Sequence, residues 1–107
     1  MTEFIVVLVT VGSAEEGERI ADALVEERLA ACVNRLGPVR STYRWQGKIE
    51  RGGEDLLVIK SRRDLFERLQ QRVRELHSYS TPEIVALPIL AASESYLRWL
   101  EDELPHS

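Results

Sequence analysis

Two kinds of hydrophobic pattern divide this chain. Apolar runs without polar interruption, rich in β-branched residues, occupy positions 4–10 and 56–59. Such runs are typical of strands that are buried on both faces, so we predict two central strands there. A third apolar segment, residues 83–90, contains Pro88, which has no N–H to donate to a neighbouring strand. We therefore expect this last strand at an edge of the sheet.

Between the strands, apolar residues recur at helical spacing. We predict a helix that begins near Ala14, a second that follows Asp64 and a third over residues 94–103. The capping signals that mark their starts are Ser13 with Glu16, Asp64 with Glu67, and Ser93. Their inward positions are Ile20, Ala23, Leu24 and Ala30 in the first, Leu65, Leu69, Val73 and Leu76 in the second, and Leu97, Leu100 and Leu104 in the third.

A long hairpin is predicted over residues 31–63, with its turn near Gly52-Gly53. In its first arm Ser41, Tyr43 and Trp45 alternate with polar residues and share one face. Gly37-Pro38 is expected to bend or bulge this arm.

The length of this arm predicts an oligomer. Residues 31–46 span about 50 Å when extended, whereas a domain of this length is about 35 Å across. The outer part of the arm would be an exposed edge that carries aromatic side chains, which soluble proteins avoid. A second copy of the chain is the simplest cover.

The order of these elements is βαββαβ followed by a helix. Two strand–helix–strand units joined by a hairpin define the ferredoxin-like α+β fold, in which the first and third strands are central. Those are the two unbroken apolar strands here. We expect residues 1–107 to form a single ferredoxin-like domain with a long hairpin and an extra C-terminal helix.

Charge and cysteine usage narrow the function classes. The 107 residues carry a net charge of −4 with acidic and basic residues interleaved, which disfavours a nucleic-acid partner. Arg62-Arg63 is the densest basic spot, and we interpret it as a solvated strand end. The apolar start, residues 4–11, is too short to span a membrane and does not have the pattern of a signal peptide. A single cysteine favours a reducing compartment, so we expect a cytoplasmic protein.

Three residues are candidate metal ligands: Cys32, His77 and Glu83. Cys32 is a soft ligand for copper, a redox-sensitive thiol or a small buried hydrophobe. His77 is either a ligand or acid–base group or the C-cap of the second helix. Glu83 either belongs to an anion or metal pocket or forms an ion pair with Lys60 or Arg62, and we favour the ion pair.

Motifs of the common enzyme classes are not found in the sequence. It contains no HExxH, CxxC, phosphate-binding glycine loop or GxSxG pattern. We therefore expect a protein that is not an enzyme. Its aromatic residues fit a subunit interface better than a cofactor site.

A combination of short motifs resembles the CutA divalent-cation tolerance family. The motifs are Cys32-Val33-Asn34, Ser41-x-Tyr43-x-Trp45-x-Gly47-x-Ile49, Glu54, Leu57-x-Ile59-Lys60, His77-x-Tyr79-x-x-Pro82-Glu83-Ile84 and Tyr96-x-x-Trp99. They cover nearly the whole chain. The resemblance implies a ferredoxin-like subunit in a tight homotrimer, in which long hairpins join sheets between chains.

This resemblance also implies a role and a site. The role is tolerance of copper or other divalent cations, with Cys32, His77 and Glu83 as metal ligands. The site is a cleft between subunits, which the matching positions assign to Tyr43, Trp45, Lys60, Tyr79 and Trp99 together with those three ligands. The alternatives are a sensor like the PII signalling proteins that binds a small anionic metabolite through Lys60, and a structural trimer without a ligand.

The chain departs from the family pattern at two places. Ser78 and the pair Ala92-Ser93 stand where the family usually has Pro and Gly-Asn. We expect the change at Ser78 to relax the loop that positions His77 and Tyr79.

Overall fold

A four-stranded antiparallel sheet and three helices make up the fold. The computed structural model describes residues 1–106. The elements are β1 (Phe4–Val11), α1 (Ala14–Glu26), β2 (Cys32–Trp45), β3 (Lys48–Arg62), a 3-10 turn (Arg63–Leu65), α2 (Phe66–Leu76), β4 (Ile84–Pro88) and α3 (Glu94–Glu103). The strand order is β2-β3-β1-β4, so β1 and β3 are central and β4 is an edge strand. This confirms the predicted ferredoxin-like α+β fold.

The main core lies between α1, α2 and one face of the sheet. Ile5, Val7 and Val9 of β1 are buried there together with Leu57 and Ile59 of β3. None of the helices of residues 1–106 is long and apolar enough to cross a membrane.

The other face of the sheet is only partly covered, so the prediction of burial on both faces is wrong for a single chain. The helix α3 packs Leu100 and Leu104 against Phe4 and Leu65 at one end of this face. Elsewhere its residues are half-buried or exposed. We call this surface the open face; its apolar members are Val6, Leu8, Leu36, Leu56, Val58, Val85 and Leu87.

The hairpin turn lies at Gln46-Gly47, and the prediction at Gly52-Gly53 is wrong. Trp45 pairs with Lys48 directly across the turn, whereas Gly52 and Gly53 pair with Ser41 and Arg40 inside the ladder. The φ angles of Gln46 and Gly47 are 50° and 79°. Positive φ at both central residues matches the twist of a two-residue hairpin loop. Gly47 adopts positive φ without strain, so the turn forms here although the other central residue is Gln46.

A bulge in β2 determines which way the aromatic side chains face, and it confirms the irregularity predicted at Gly37-Pro38. Leu36 pairs with Leu56 and Val39 pairs with Glu54, so Gly37 and Pro38 together oppose one residue of β3. The extra residue shifts the side-chain alternation by one position. As a result Ser41, Tyr43 and Trp45 face the same side of the ribbon as Leu36 does.

The outer hairpin extends far from the helices. The molecule measures 44 × 25 × 22 Å, and all residues from 42 to 51 are exposed. Tyr43, Trp45 and Ile49 retain 49%, 47% and 55% of their accessible surface. The chain by itself therefore leaves the aromatic part of the hairpin uncovered.

Two local predictions about charged residues are wrong. Asp64 is not the N-cap residue of α2, because it lies in the intervening 3-10 turn and Leu65 occupies the N-cap position. Arg62 is not solvated but only 1% exposed, and its guanidinium lies 5.0 Å from the centre of the Phe4 ring. The caps predicted at Ser13 and Ser93 are confirmed, since each hydroxyl accepts a backbone N–H.

Candidate functional site

A pocket of about 560 Å³ lies beside the hairpin. It forms where the end of β1, the outer hairpin and the loop of residues 77–83 meet. Its walls contain three aromatic side chains and two carboxylates, those of Tyr43, Trp45, Tyr79, Glu54 and Glu83. We call it the hairpin pocket. Four of the eight cleft and ligand residues predicted from sequence, namely Tyr43, Trp45, Tyr79 and Glu83, are thus brought together.

The remaining lining is polar and neutral. It consists of Thr10, Ser41, Thr42, Ser80 and Thr81, and no lysine or arginine is among the lining residues. The pocket therefore presents hydroxyl groups, aromatic faces and negative charge.

Tyr79 and Glu54 are coupled inside this pocket. The Tyr79 hydroxyl donates a hydrogen bond of 3.0 Å to Glu54 Oε2. Burial, followed by this bond to the carboxylate, raises the pKa of Tyr79 to about 12. The protonated phenol orients the Glu54 carboxylate as an acceptor.

His77 is held in a structural position. Its Nε2 lies 2.7 Å from the Thr10 carbonyl oxygen, and its Nδ1 accepts the backbone N–H of Tyr79 at 3.0 Å. Since a carbonyl only accepts and an amide N–H only donates, these bonds define a neutral ring with its proton on Nε2. Both nitrogen atoms are in use. His77 is also the C-cap residue of α2, which was the structural alternative predicted for it.

Glu16 is a residue whose role the sequence did not reveal. Its carboxylate is buried and accepts two hydrogen bonds from Ser78, at 2.6 Å from the backbone N–H and at 3.0 Å from the hydroxyl. From the sequence, Glu16 was assigned to the capping box with Ser13. In the structure its backbone N–H donates to the Ser13 hydroxyl, whereas its side chain binds Ser78 instead. A proline at position 78 would lack this N–H, so Ser78 adds a tether between the loop and α1 that the family's usual proline could not make.

The environment of Glu16 lowers its pKa. Burial alone would raise the pKa, but the two hydrogen bonds from Ser78, the charge that His77 carries when its ring is protonated, and the backbone of Gly12 outweigh it. The pKa of Glu16 is therefore below its ordinary value. The ionised carboxylate tethers the 77–83 loop to α1, and that loop carries Tyr79 and Glu83 into the pocket.

Cys32 and Lys60 form a second group at the other end of the open face, and Trp99 lies on α3 next to Tyr96. Cys32 pairs with Lys60, and the Lys60 ammonium donates to the Asn34 side chain. Lys60 lies opposite Val6, four residues along β1 from Thr10, or about 13 Å. Tyr96 connects this group to α3: its ring stacks at 5.5 Å from Trp99, and its pKa is raised by burial and by nearby Cys32.

The three predicted metal ligands do not meet within one chain. Residues 1–106 contain no cluster of three or more His, Cys, Asp or Glu side chains able to hold a metal ion. Glu83 is exposed in the hairpin pocket and pairs with neither Lys60, which binds Asn34, nor Arg62, which binds Glu101. The favoured ion pair of Glu83 is therefore wrong.

The fold and the pocket together define the class of the protein: a ferredoxin-like α+β domain with an extended hairpin beside an acidic, aromatic pocket. A sequence profile described as CutA1 divalent ion tolerance protein matches residues 5–103. The chain belongs to this family.

Individual relatives agree with the assignment. The divalent-cation tolerance protein CutA of Thermus thermophilus is 52% identical over 97 residues, which are 91% of this chain and 94% of that protein. The chloroplastic protein CutA of Arabidopsis thaliana is 46% identical over 92% of this chain, but this chain spans only 54% of that relative's length. The crystal structure of CutA1 from Oryza sativa superposes with a TM-score of 0.94 at 42% identity, covering 97% of this chain and 95% of that one.

Proposed function

We propose that this protein works as a homotrimer in the response to divalent metal ions and binds copper or another divalent cation at a site to which more than one subunit contributes. The observation that carries the proposal is the uncovered surface of the single chain. The aromatic hairpin and the apolar open face lie on one side of the same ribbon.

Assembly would remove an unfavourable surface. An unpaired hairpin edge with exposed Tyr43, Trp45 and Ile49 invites pairing with another chain. The open face adds exposed Val85 and Leu87, and apolar patches of this kind mark interaction surfaces. Because the bulge turns Tyr43 and Trp45 to the side of the open face, neighbouring copies of the chain can cover these surfaces together. Ile49, which pairs with Arg44, faces the opposite side of the ribbon.

The expected mass is three times the 12.2 kDa of one chain. Native mass spectrometry and light scattering at low micromolar concentration measure it. Leu87→Glu places a charge on the open face and should reduce the trimer to smaller species, because a buried unpaired carboxylate is costly. Val25→Glu is the matched control, since Val25 is similarly exposed but lies on α1, on the other side of the sheet. A folded wild-type monomer contradicts the proposal.

The donors that remain for a metal are Cys32 and Glu83. His77 already uses both ring nitrogen atoms, whereas the Cys32 thiol makes only a contact of 3.8 Å with Asn34. A thiolate is a soft ligand that suits copper and zinc, and a carboxylate suits harder cations. The two donors are at different ends of the open face, so each needs partners from another subunit.

Metal titration tests this part of the proposal. We expect Cu²⁺ or redox-inert Zn²⁺, titrated anaerobically into metal-free protein, to bind the wild type and to lose at least tenfold in affinity with Cys32→Ser. Glu83→Gln tests the second donor, and His77→Gln should leave the affinity unchanged if the ring is structural. Equal, weak binding by wild type and Cys32→Ser removes Cys32 as a ligand.

Three further expectations concern the location of the protein, catalysis and the sensing of anions. The single cysteine supports a reducing, cytoplasmic location. We propose no catalytic step, because His77 is buried and fully hydrogen-bonded while Glu83 is exposed. A sensor of small anions is disfavoured, because the hairpin pocket has two carboxylates and no basic lining residue, and Lys60 lies outside it.

A further inference from the structure

The hairpin pocket combines aromatic rings and carboxylates, and the proposed metal site uses only Glu83 among them. Tyr43, Trp45 and Tyr79 contribute aromatic rings, and Glu54 and Glu83 contribute negative charge. The face of an aromatic ring is electron-rich and attracts cations. Rings and carboxylates therefore favour the same kind of guest, and no lysine or arginine of the same chain lines the pocket to compete with it.

The walls of the pocket are held in position by hydrogen bonds and a ring contact. The Tyr79 hydroxyl fixes Glu54 at 3.0 Å, and Tyr79 is fixed in turn by its backbone bond to His77 and by ring contact at 4.7 Å. Glu16 anchors the loop through Ser78. These supports lie beneath the walls and hold them in place before any ligand arrives, which reduces the ordering cost of binding.

Two features leave room for a guest. Gly52 pairs with Ser41, which lines the pocket, and a Cβ built on Gly52 would meet nothing within 4 Å. Glu83 makes no hydrogen bond or ion pair within residues 1–106, so its charge is available. The volume of about 560 Å³ falls in the usual range of small-molecule sites.

We propose that the hairpin pocket binds a small organic cation, an alkylammonium or quaternary ammonium ion. The rings of Tyr43, Trp45 and Tyr79 receive the cationic head, and Glu54 and Glu83 compensate its charge. The hydroxyl groups of the lining accommodate polar substituents. This inference goes beyond the metal response and does not depend on Cys32.

A pair of isosteric probes tests the charge requirement. Choline and 3,3-dimethylbutan-1-ol have nearly the same shape, but only choline is charged. Calorimetric titration of each into full-length protein in EDTA should show saturable binding of choline and at least tenfold weaker binding of the alcohol. A titration with 1,4-diaminobutane distinguishes primary from quaternary ammonium ligands. Equal binding of choline and the alcohol, or no saturable binding of either cation, overturns the proposal.

Variants locate the binding. Glu83→Gln and Trp45→Leu should each weaken cation binding by fivefold or more, because they remove one charge and one ring from the walls. Glu18→Gln is the charge control, since Glu18 is an exposed residue of α1 outside the pocket. The native mass of each variant shows whether the oligomer is intact. If Trp45→Leu changes the oligomeric state, Glu83→Gln alone decides whether the pocket binds the cation. Unchanged affinity in Glu83→Gln and Trp45→Leu assigns the binding elsewhere and contradicts the proposal.

The two proposals share Glu83, but EDTA and the Cys32→Ser variant separate them. EDTA removes metal from the cation titration, and Cys32→Ser should leave choline binding unchanged. Loss of metal binding in Cys32→Ser with intact choline binding separates the sites, whereas loss of both in Cys32→Ser contradicts an independent pocket.

Discussion

Replacing Arg62 with Ala is expected to lower the free energy of unfolding by about 3 kcal/mol, whereas Arg62→Met should change it by less than about 1.5 kcal/mol. Arg62 is 1% exposed. Its guanidinium pairs with Glu101, donates to the Leu104 carbonyl at 3.3 Å and lies over the Phe4 ring. Removing the side chain would leave a cavity between β3 and α3 and release the C-terminal helix.

The contrast between the two variants separates packing from ion pairing. Nε and Nη1 of Arg62 are buried and find no hydrogen-bond partner within residues 1–106, so the charge carries a desolvation penalty that methionine avoids. Glu101 is half-exposed and can be rehydrated when its partner is lost. Chemical denaturation at fixed protein concentration measures the effect, with exposed Arg63→Ala as the control at less than about 0.5 kcal/mol. If Arg62→Met lowers the free energy of unfolding as much as Arg62→Ala does, the ion pair contributes more to stability than the packing of the side chain.

The second large effect is expected at Glu16. Glu16→Gln should lower the free energy of unfolding at pH 7 by about 2 kcal/mol, because hydrogen bonds to a buried carboxylate are strong and an amide cannot accept both bonds from Ser78 equally well. The variant should also loosen the loop that presents Tyr79, so choline binding should weaken with it.

The pH dependence of that difference follows from the lowered pKa. A carboxyl whose pKa is lower in the folded state stabilises the protein above its unfolded value, 4.5, and loses this contribution as the pH falls through the folded value. The gap between wild type and Glu16→Gln should thus be constant at neutral pH and close below about pH 4.5. Glu15→Gln, exposed in the same helical turn, provides the control. A gap that persists unchanged to pH 3 would show that the charge of Glu16 is not responsible.

The candidate site was only partly predictable, and the reasons are specific. The alternation along β2 placed Tyr43 and Trp45 on one face, but the direction of that face depends on the bulge opposite Asp55. The Glu16–Ser78 contact joins residues 62 positions apart, and no local pattern announces it. Lys60 matched the family motif, yet the strand register places it with Cys32, away from the pocket.

The sequence by itself determined the type, order and approximate bounds of the helices and strands, the central and edge positions in the sheet, and the family. These follow from hydrophobic periodicity, proline chemistry and short motifs, all of which act over a few residues. Only the tertiary structure decided that His77 is a buried support, that Arg62 is enclosed beneath α3, and that Glu54 and Glu83 share a pocket with three aromatic rings. Each of these depends on hydrogen bonding and burial between distant segments, because a side chain's environment is set by whatever the fold packs against it.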